Sequence, residues 1–418
     1  MEPVTDYPKT PILALLALTA VLATGALLRV AHHMDVDSRS PDETTYTDYA
    51  SNVADGGIRA FPKVFSDYER AGDVWVYPAP TRVGEILLTV AVMKLENVRD
   101  EQAGADLSLA ASMVTLLLTA WIGVRFFDPW TAVAATAFLA FSVAELGIAR
   151  RAWTDSLVGL TSLCLVAITG VISRSENRRR IWLYILFLAA GCGALLVKES
   201  LAVYYGICGL WLTAQLWFQE KSAKGAAMLA GGGIVSVGVA LLIVRILCGD
   251  SATFVALLPH PGNWLLPHPE SWTTENYGGP WYQLFDLLWQ VGPLTAALAL
   301  AGFIALAAHK VERAATVLVV AAIAGVCVLF LAFAPALKCL RLLSPADGCY
   351  ALMAGLGLTT LLAAARSRMG RVGYGAMVAV AVLAVTVEGV CNYRTYTAAV
   401  VDSGMEDLAI SGLRFWLR

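Results

Sequence analysis

Three observations predict an all-α integral membrane protein with about eleven spans. The 418 residues are 58% hydrophobic and 15% charged, with a mean hydropathy of +0.66; soluble domains carry about a quarter charged residues. Apolar runs of roughly 20 residues, the length that crosses a hydrocarbon core, recur along the whole chain. The Lys and Arg of the short connectors fall on alternate connectors, hence on one side.

The first run, 11–30, predicts a span. It is long for a signal sequence and its flank carries acids as well as bases, so it reads as an uncleaved first helix. Residues 31–82 are polar and predict a large loop with surface helices over Asp48–Phe61 and Val64–Val76. Val83–Leu95 is apolar but only 13 residues long and contains Glu85 and Lys94. Runs of that length lie in the interface more often than they cross it, so a surface helix on the same side is expected. Ten further spans are predicted over 105–124, 130–148, 156–173, 181–197, 200–218, 226–247, 288–308, 314–335, 347–365 and 372–391.

With this count, the basic connectors Arg174–Arg180, Glu220–Lys224, Lys310–Arg313 and Arg366–Arg371 share one side, the cytoplasmic one. The N-terminus is then cytoplasmic. The loops 31–104 and 248–287 and the tail 392–418 lie outside. Residues 1–391 form one polytopic domain, and 392–418 an outer-face tail that is either a short interfacial helix or a frayed end. No internal repeat is present, although Leu-Pro-His-Pro occurs twice in the second outer loop.

Net charge is −2, with neither a basic arm nor zinc-finger spacing, which sets nucleic acid aside as a partner. The eight cysteines form no C-x-x-C. Cys164, Cys192, Cys208 and Cys327 lie in apolar runs as small hydrophobes. Cys248, Cys339, Cys349 and Cys391 fall near span ends, where a Cys339–Cys349 bridge would be allowed on an oxidising face.

Ionisable residues in membrane proteins are costly and usually functional. Glu145, Arg150, Arg151, Asp155, Lys198, Glu199, Arg245, Lys338, Arg341 and Glu388 all map to the outer ends of spans. An ion-coupled transporter would place some at mid-membrane breaks; separate snorkelling side chains would account for them singly but not as a set. A polar ring beneath two outer loops suits an enzyme at the outer leaflet. Moving a sugar off a lipid monophosphate needs a base for the acceptor proton and cations for the growing phosphate charge. In Ser40-Pro41-Asp42-Glu43-Thr44-Thr45-Tyr46, Asp42 or Glu43 supplies a base; without chemistry the pair would serve a helix N-terminus. Arg341, Lys338, Arg150, Arg151 and Lys198 supply cations. Asp35-Val36-Asp37 has the D-x-D form used by nucleotide-sugar enzymes. His260 and His268 offer imidazoles in the second outer loop, where a divalent metal would also need a carboxylate.

These residues resemble the lipid-phosphate-sugar glycosyltransferases of the GT-C superfamily, among them protein O-mannosyltransferases and lipid A aminoarabinose transferases. Pro41-Asp42-Glu43-x-x-Tyr46 is similar to the family's acidic motif in the first outer loop. Tyr77-Pro78-Ala79-Pro80 resembles its proline-led juxtamembrane segment, and Ala149 to Asp155 its second outer motif. Lys198 stands where relatives carry a lysine at a helix end. Gly279-Pro280-Trp281-Tyr282 resembles the aromatic entry to a span, and Lys338 to Pro345 the late basic motif. The resemblance covers most of the chain. It implies Asp42 as base, with Glu43, Asp155 and Tyr46 organising it. It also implies a donor phosphate held by Arg341, Lys338, Arg150, Arg151 and Lys198, and substrate positioned by Trp281 and Tyr282. The donor is a polyprenyl-phosphate sugar and the acceptor an outer-face glycan, lipid or protein; a divalent metal is the one cofactor left open. A metal ligand of the arabinose transferases is missing from Tyr77–Pro80, which leaves Glu85 and His268 as candidates for a divalent metal. Leu342 stands where relatives have Tyr, and there is no large C-terminal outer domain. A lipid or solute transporter, or a non-catalytic subunit of a glycan-assembly complex, is the alternative.

Overall fold

The computed structural model describes residues 12–36, 38–71, 78–175, 177–257, 279–308, 315–334 and 339–402. Among them the chain is helical and has no strand. The helices are α1 (Ile12–Ala31), α2 (Pro41–Gly56), α3 (Phe61–Arg70), α4 (Val83–Glu96), α5 (Glu101–Phe126), α6 (Pro129–Ala140), α7 (Val143–Ala149), α8 (Asp155–Arg174) and α9 (Asn177–Val197). There follow α10 (Leu201–Ala214), α11 (Ala223–Cys248), α12 (Ser251–Leu257), α13 (Gln283–Val291), α14 (Pro293–Ala308), α15 (Ala315–Phe333), α16 (Ser344–Arg368) and α17 (Arg371–Tyr396). Nine of the described helices are long and apolar enough to cross a membrane, and eleven spans result if each of two bent pairs counts as one. Aliphatic residues on α1, α11 and α17, such as Leu16, Ile234 and Val382, point outward, as lipid-facing helices require. The chain is an integral membrane protein.

The centre of the bundle is α5, α6, α8 and α16, with α14 laid closely along α16. A methyl group on Gly302 would collide with the Met353 carbonyl, and one on Gly357 with the Leu298 carbonyl. Without a hydrophobic drive between helices in lipid, such backbone approach supplies the packing.

The two bent pairs depart from the straight spans expected over 130–148 and 288–308. Between α6 and α7 the axis turns by 60°, and between α13 and α14 by 116°. Each break strands backbone groups that a lipid environment cannot satisfy, and each is closed by a charged side chain from another helix. Arg29, fully buried on α1, donates to the carbonyls of Leu139 (3.3 Å) and Ala140 (3.4 Å) at the end of α6. It also bonds Ser112 (2.8 Å), and Glu145 faces it at 3.7 Å. Glu388 accepts from the amides of Leu294 (2.6 Å) and Thr295 (3.0 Å), the first turn of α14. Glu145 and Glu388, expected in the polar ring, therefore hold helix ends.

The first-loop helices differ in register from expectation. Pro41 occupies the first turn of α2 and Glu43 accepts from the Ser40 amide at 2.8 Å, so the helix starts seven residues before Asp48. It ends at Gly57, whose φ of +65° suits glycine. A 3-10 turn, Gly57–Ala60, leads into α3, and residues 72–77 lie outside the described set. Phe61, Phe65, Val83, Ile86, Val90 and Met93 form a second small core with the end of α11. Leu87, Leu88 and Leu95 on the other face of α4 are exposed, which fits an interfacial helix. All eight cysteines are free; Cys339 and Cys349 are each buried, on opposite sides of a 3-10 turn (Leu340–Leu343), so the allowed bridge is not formed. α17 runs past 391 to Tyr396 and a π turn to Asp402. The remaining tail, 403–418, lies outside the described residues.

Candidate active site

The two neighbouring carboxylates at the start of α2 have opposite surroundings. Glu43 is completely buried. Its Oε1 accepts from the Ala152 amide (2.7 Å) and Arg39 Nη1 (3.1 Å); its Oε2 accepts from the Ser40 amide (2.8 Å) and faces Arg151 Nη2 at 2.6 Å. Three hydrogen bonds and this ion pair use both oxygens of a side chain that has no exposed surface, so Glu43 locks α2 onto the corner between α7 and α8. Trp153 reinforces the lock, its indole N–H donating to Ser40 Oγ at 3.0 Å.

Asp42, one residue earlier, points elsewhere on the helix. Its side chain is 33% exposed, and Oδ2 lies 3.3 Å from Arg341 Nη2, from 299 residues further along. Arg341 stands on the turn before α16, with its guanidinium 4.7 Å from the Trp153 ring centre; Arg151 lies 5.1 Å from the same ring. One indole thus orients two cations beside the acidic pair.

A second layer continues from this point. Asp155, the first residue of α8, binds Lys198 Nζ at 2.9 Å. Arg82, just before α4, grips Glu199 through two nitrogens (3.0 and 3.4 Å) and donates to the Tyr46 hydroxyl. Burial would lower the Arg82 pKa, but Glu199 and Tyr46 hold it well above its ordinary value. Arg82 in turn overcomes burial to hold the Glu199 carboxyl down at about 2. Burial pushes the Tyr46 phenol well up, against Arg82, so it stays protonated. Gly84 brings α4 against the end of α9; a Cβ there would lie 3.1 Å from the Leu196 carbonyl. This approach sets Glu85 among Arg82, Lys198, Asp155 and Asp42. Glu85 is 3% exposed, its Oε2 has no hydrogen-bond partner, and burial pushes its carboxyl well above the ordinary range.

The structure therefore brings together Asp42, Glu43, Tyr46, Glu85, Arg151, Asp155, Lys198 and Arg341 from the residues expected by sequence. Arg150 is buried and bonds Tyr396 instead, with its Nε and Nη1 unpartnered. Trp281 and Tyr282 are exposed at the start of α13, in contact with each other; Trp281 also meets Phe285 and Phe333. They do not join the carboxylates. Lys338, His260, His268 and Asp37 lie outside the described residues. Among the described residues no three His, Cys, Asp or Glu side chains converge to hold a metal ion.

Arg82, Arg39 and Arg29 were not among the residues expected from the sequence, and Trp153 was expected only as part of the 149–155 motif. Arg82 had a signal: a cation immediately before a helix N-terminus opposes the helix dipole and needs a compensating acid, here Glu199. Arg29 had another, being the one ionisable residue inside the first span.

No family model matches the sequence, and no curated protein does. Solved structures do. ArnT from Cupriavidus metallidurans bound to undecaprenyl phosphate is 15% identical, with a TM-score of 0.58 over 92% of this chain and 76% of that one. Its apo state gives 14% identity and the same TM-score. The oligosaccharyltransferase AglB from Archaeoglobus fulgidus, solved apo and in complex with an inhibitory peptide and a dolichol-phosphate, is 9% identical with a TM-score of 0.64. The chain covers 56% of AglB's length. At these identities the likeness establishes architecture alone: the chain shares the fold of these two solved proteins.

Proposed function

We propose that this protein transfers one sugar from a polyprenyl-phosphate donor to an acceptor hydroxyl at the outer face of the membrane, with inversion at the anomeric carbon. The observation that carries the reading is Asp42, a reachable carboxylate beside the Arg341 guanidinium. The shared fold with enzymes solved with undecaprenyl phosphate or dolichol-phosphate supports it.

In this reading the acceptor oxygen attacks the anomeric carbon while Asp42 takes its proton. The bond from that carbon to the phosphate oxygen breaks on the opposite face, and the electron pair leaves with the polyprenyl phosphate. Arg341 meets the growing charge as a planar fork, with Lys198 and Lys338 as further cations. Binding of the phosphate draws Arg341 off Asp42 and frees the base as the donor seats. Glu43, Arg151 and Trp153 hold Asp42 and Arg341 in register. Asp155 and Tyr46 position the neighbouring cations.

The test is a transfer assay with synthetic polyprenyl-phosphate sugars and a membrane-extract acceptor. Asp42→Asn is expected to lose transfer and retain donor affinity. Arg341→Ala is expected to lose both. An active Asp42→Asn enzyme overturns the assignment. Transport activity that survives both changes would favour the transporter alternative.

A further inference from the structure

A groove of about 290 Å³ opens between α2 and α3, outside the charge ring. Asp42, Tyr46 and Tyr49 share one face of α2 at spacings of four and seven. Tyr49 therefore continues the line that begins at the base and forms part of the groove wall. Seven residues of helix rise about 10 Å, the reach of two linked sugar rings. Asp48 and Asn52 flank Tyr49 on α2, and Asp67 and Tyr68 face them from α3.

The chemistry of these walls is specific. Tyr49 is pinned, its hydroxyl donating to the Pro78 carbonyl at 3.1 Å. Tyr68 is 6% exposed, and burial pushes its phenol up to about 12 against the pull of Arg82. Both phenols stay neutral, and Tyr49, the less buried, offers the groove an apolar face with a polar tip. Arg82, which donates to the Tyr46 hydroxyl, also acts electrostatically on both phenols. Asp48, Asp67 and Asn52 are exposed and offer paired acceptors, with an amide donor among them. None of the groove's described lining residues is basic. Exposed carboxylates on both walls, beside the pinned Tyr49 ring, suit sugar hydroxyls, whereas a phosphate would meet like charge.

We propose that this groove is the acceptor subsite and that the acceptor is a glycan without acidic groups rather than a phosphorylated lipid. The inference rests on the glycosyltransferase reading, but its test does not require turnover. The full chain in nanodiscs is examined by saturation-transfer NMR with methyl α-D-glucopyranoside, methyl α-D-mannopyranoside, methyl α-D-galactopyranoside and glucose 6-phosphate as probes. At least one neutral glycoside is expected to bind the wild type, and its affinity is expected to fall at least tenfold in Asp48→Ala/Asp67→Ala. Both aspartates are exposed, so this variant should keep the wild-type melting curve. Glycoside binding is read without donor or turnover, so an inactive protein that still binds the glycoside through Asp48 and Asp67 separates failure of the transfer reading from failure of the groove. Absence of glycoside binding, or binding that survives the double change, overturns the proposal. So does tighter binding of glucose 6-phosphate than of the neutral glycosides.

Discussion

Replacing Glu43 tests whether the buried carboxylate is scaffold or chemistry. Glu43→Ala removes the acceptor of three hydrogen bonds and leaves the Arg151 guanidinium, itself 6% exposed, without its 2.6 Å ion-pair partner. Breaking a buried pair by removing one partner costs about 3–5 kcal/mol. The stranded amides of Ser40 and Ala152 would cost about 1–3 kcal/mol each if counted alone. Contacts in one network do not add, so a total near 4–6 kcal/mol is expected. Glu43→Gln keeps one acceptor oxygen and should lose about half as much. Equilibrium unfolding in detergent, with transfer measured per folded molecule, reads both quantities. The account predicts that Glu43→Gln is less stable but that its folded fraction still transfers sugar. A Glu43→Gln protein within about 1 kcal/mol of wild type but devoid of transfer would refute it and move the base to Glu43.

Three further outcomes follow from particular contacts. Arg29→Ala should destabilise more than Arg29→Ala/Glu145→Ala, because the single change strands a buried carboxylate; a double-mutant cycle on unfolding free energies measures the coupling. Glu85 has a folded pKa raised above its unfolded value of about 4.3, so the folded state binds the extra proton. Its contribution is fully present below that unfolded value and is lost as pH rises toward the folded one. Wild type should therefore lose stability relative to Glu85→Gln across that interval, and parallel pH–stability curves would contradict it. Gly84→Ala should displace α4 from Leu196, cost about 1–3 kcal/mol by overpacking, and lower transfer by shifting Arg82; an unchanged melting temperature would count against the close approach.

Much of this was legible in the sequence because membrane spans are written in long apolar runs. Helix breaks were less so. Gly292-Pro293 carries a visible breaker, whereas Phe141-Ser142 does not, and its bend depends on Arg29 reaching the freed carbonyls from another helix. Asp42 and Arg341 were each recognisable as polar residues at a membrane boundary. That they meet is a property of the fold, since 299 residues separate them. The family resemblance favoured Asp42 over Glu43, but spacing alone did not separate them, because adjacent helical residues differ only by what packs against each. The α7–α8 corner saturates Glu43 and leaves Asp42 reachable. Arg82 escaped notice because its acid, Glu199, lies 117 residues away.

The central claim is that Asp42 removes the acceptor proton beside a bound polyprenyl-phosphate sugar. Mass spectrometry of lipids co-purifying with wild type and with Asp42→Asn tests it most directly. The account predicts a polyprenyl-phosphate sugar enriched in the variant, where the donor binds without turning over. Equal amounts in both proteins, with transfer by the variant intact, would contradict it.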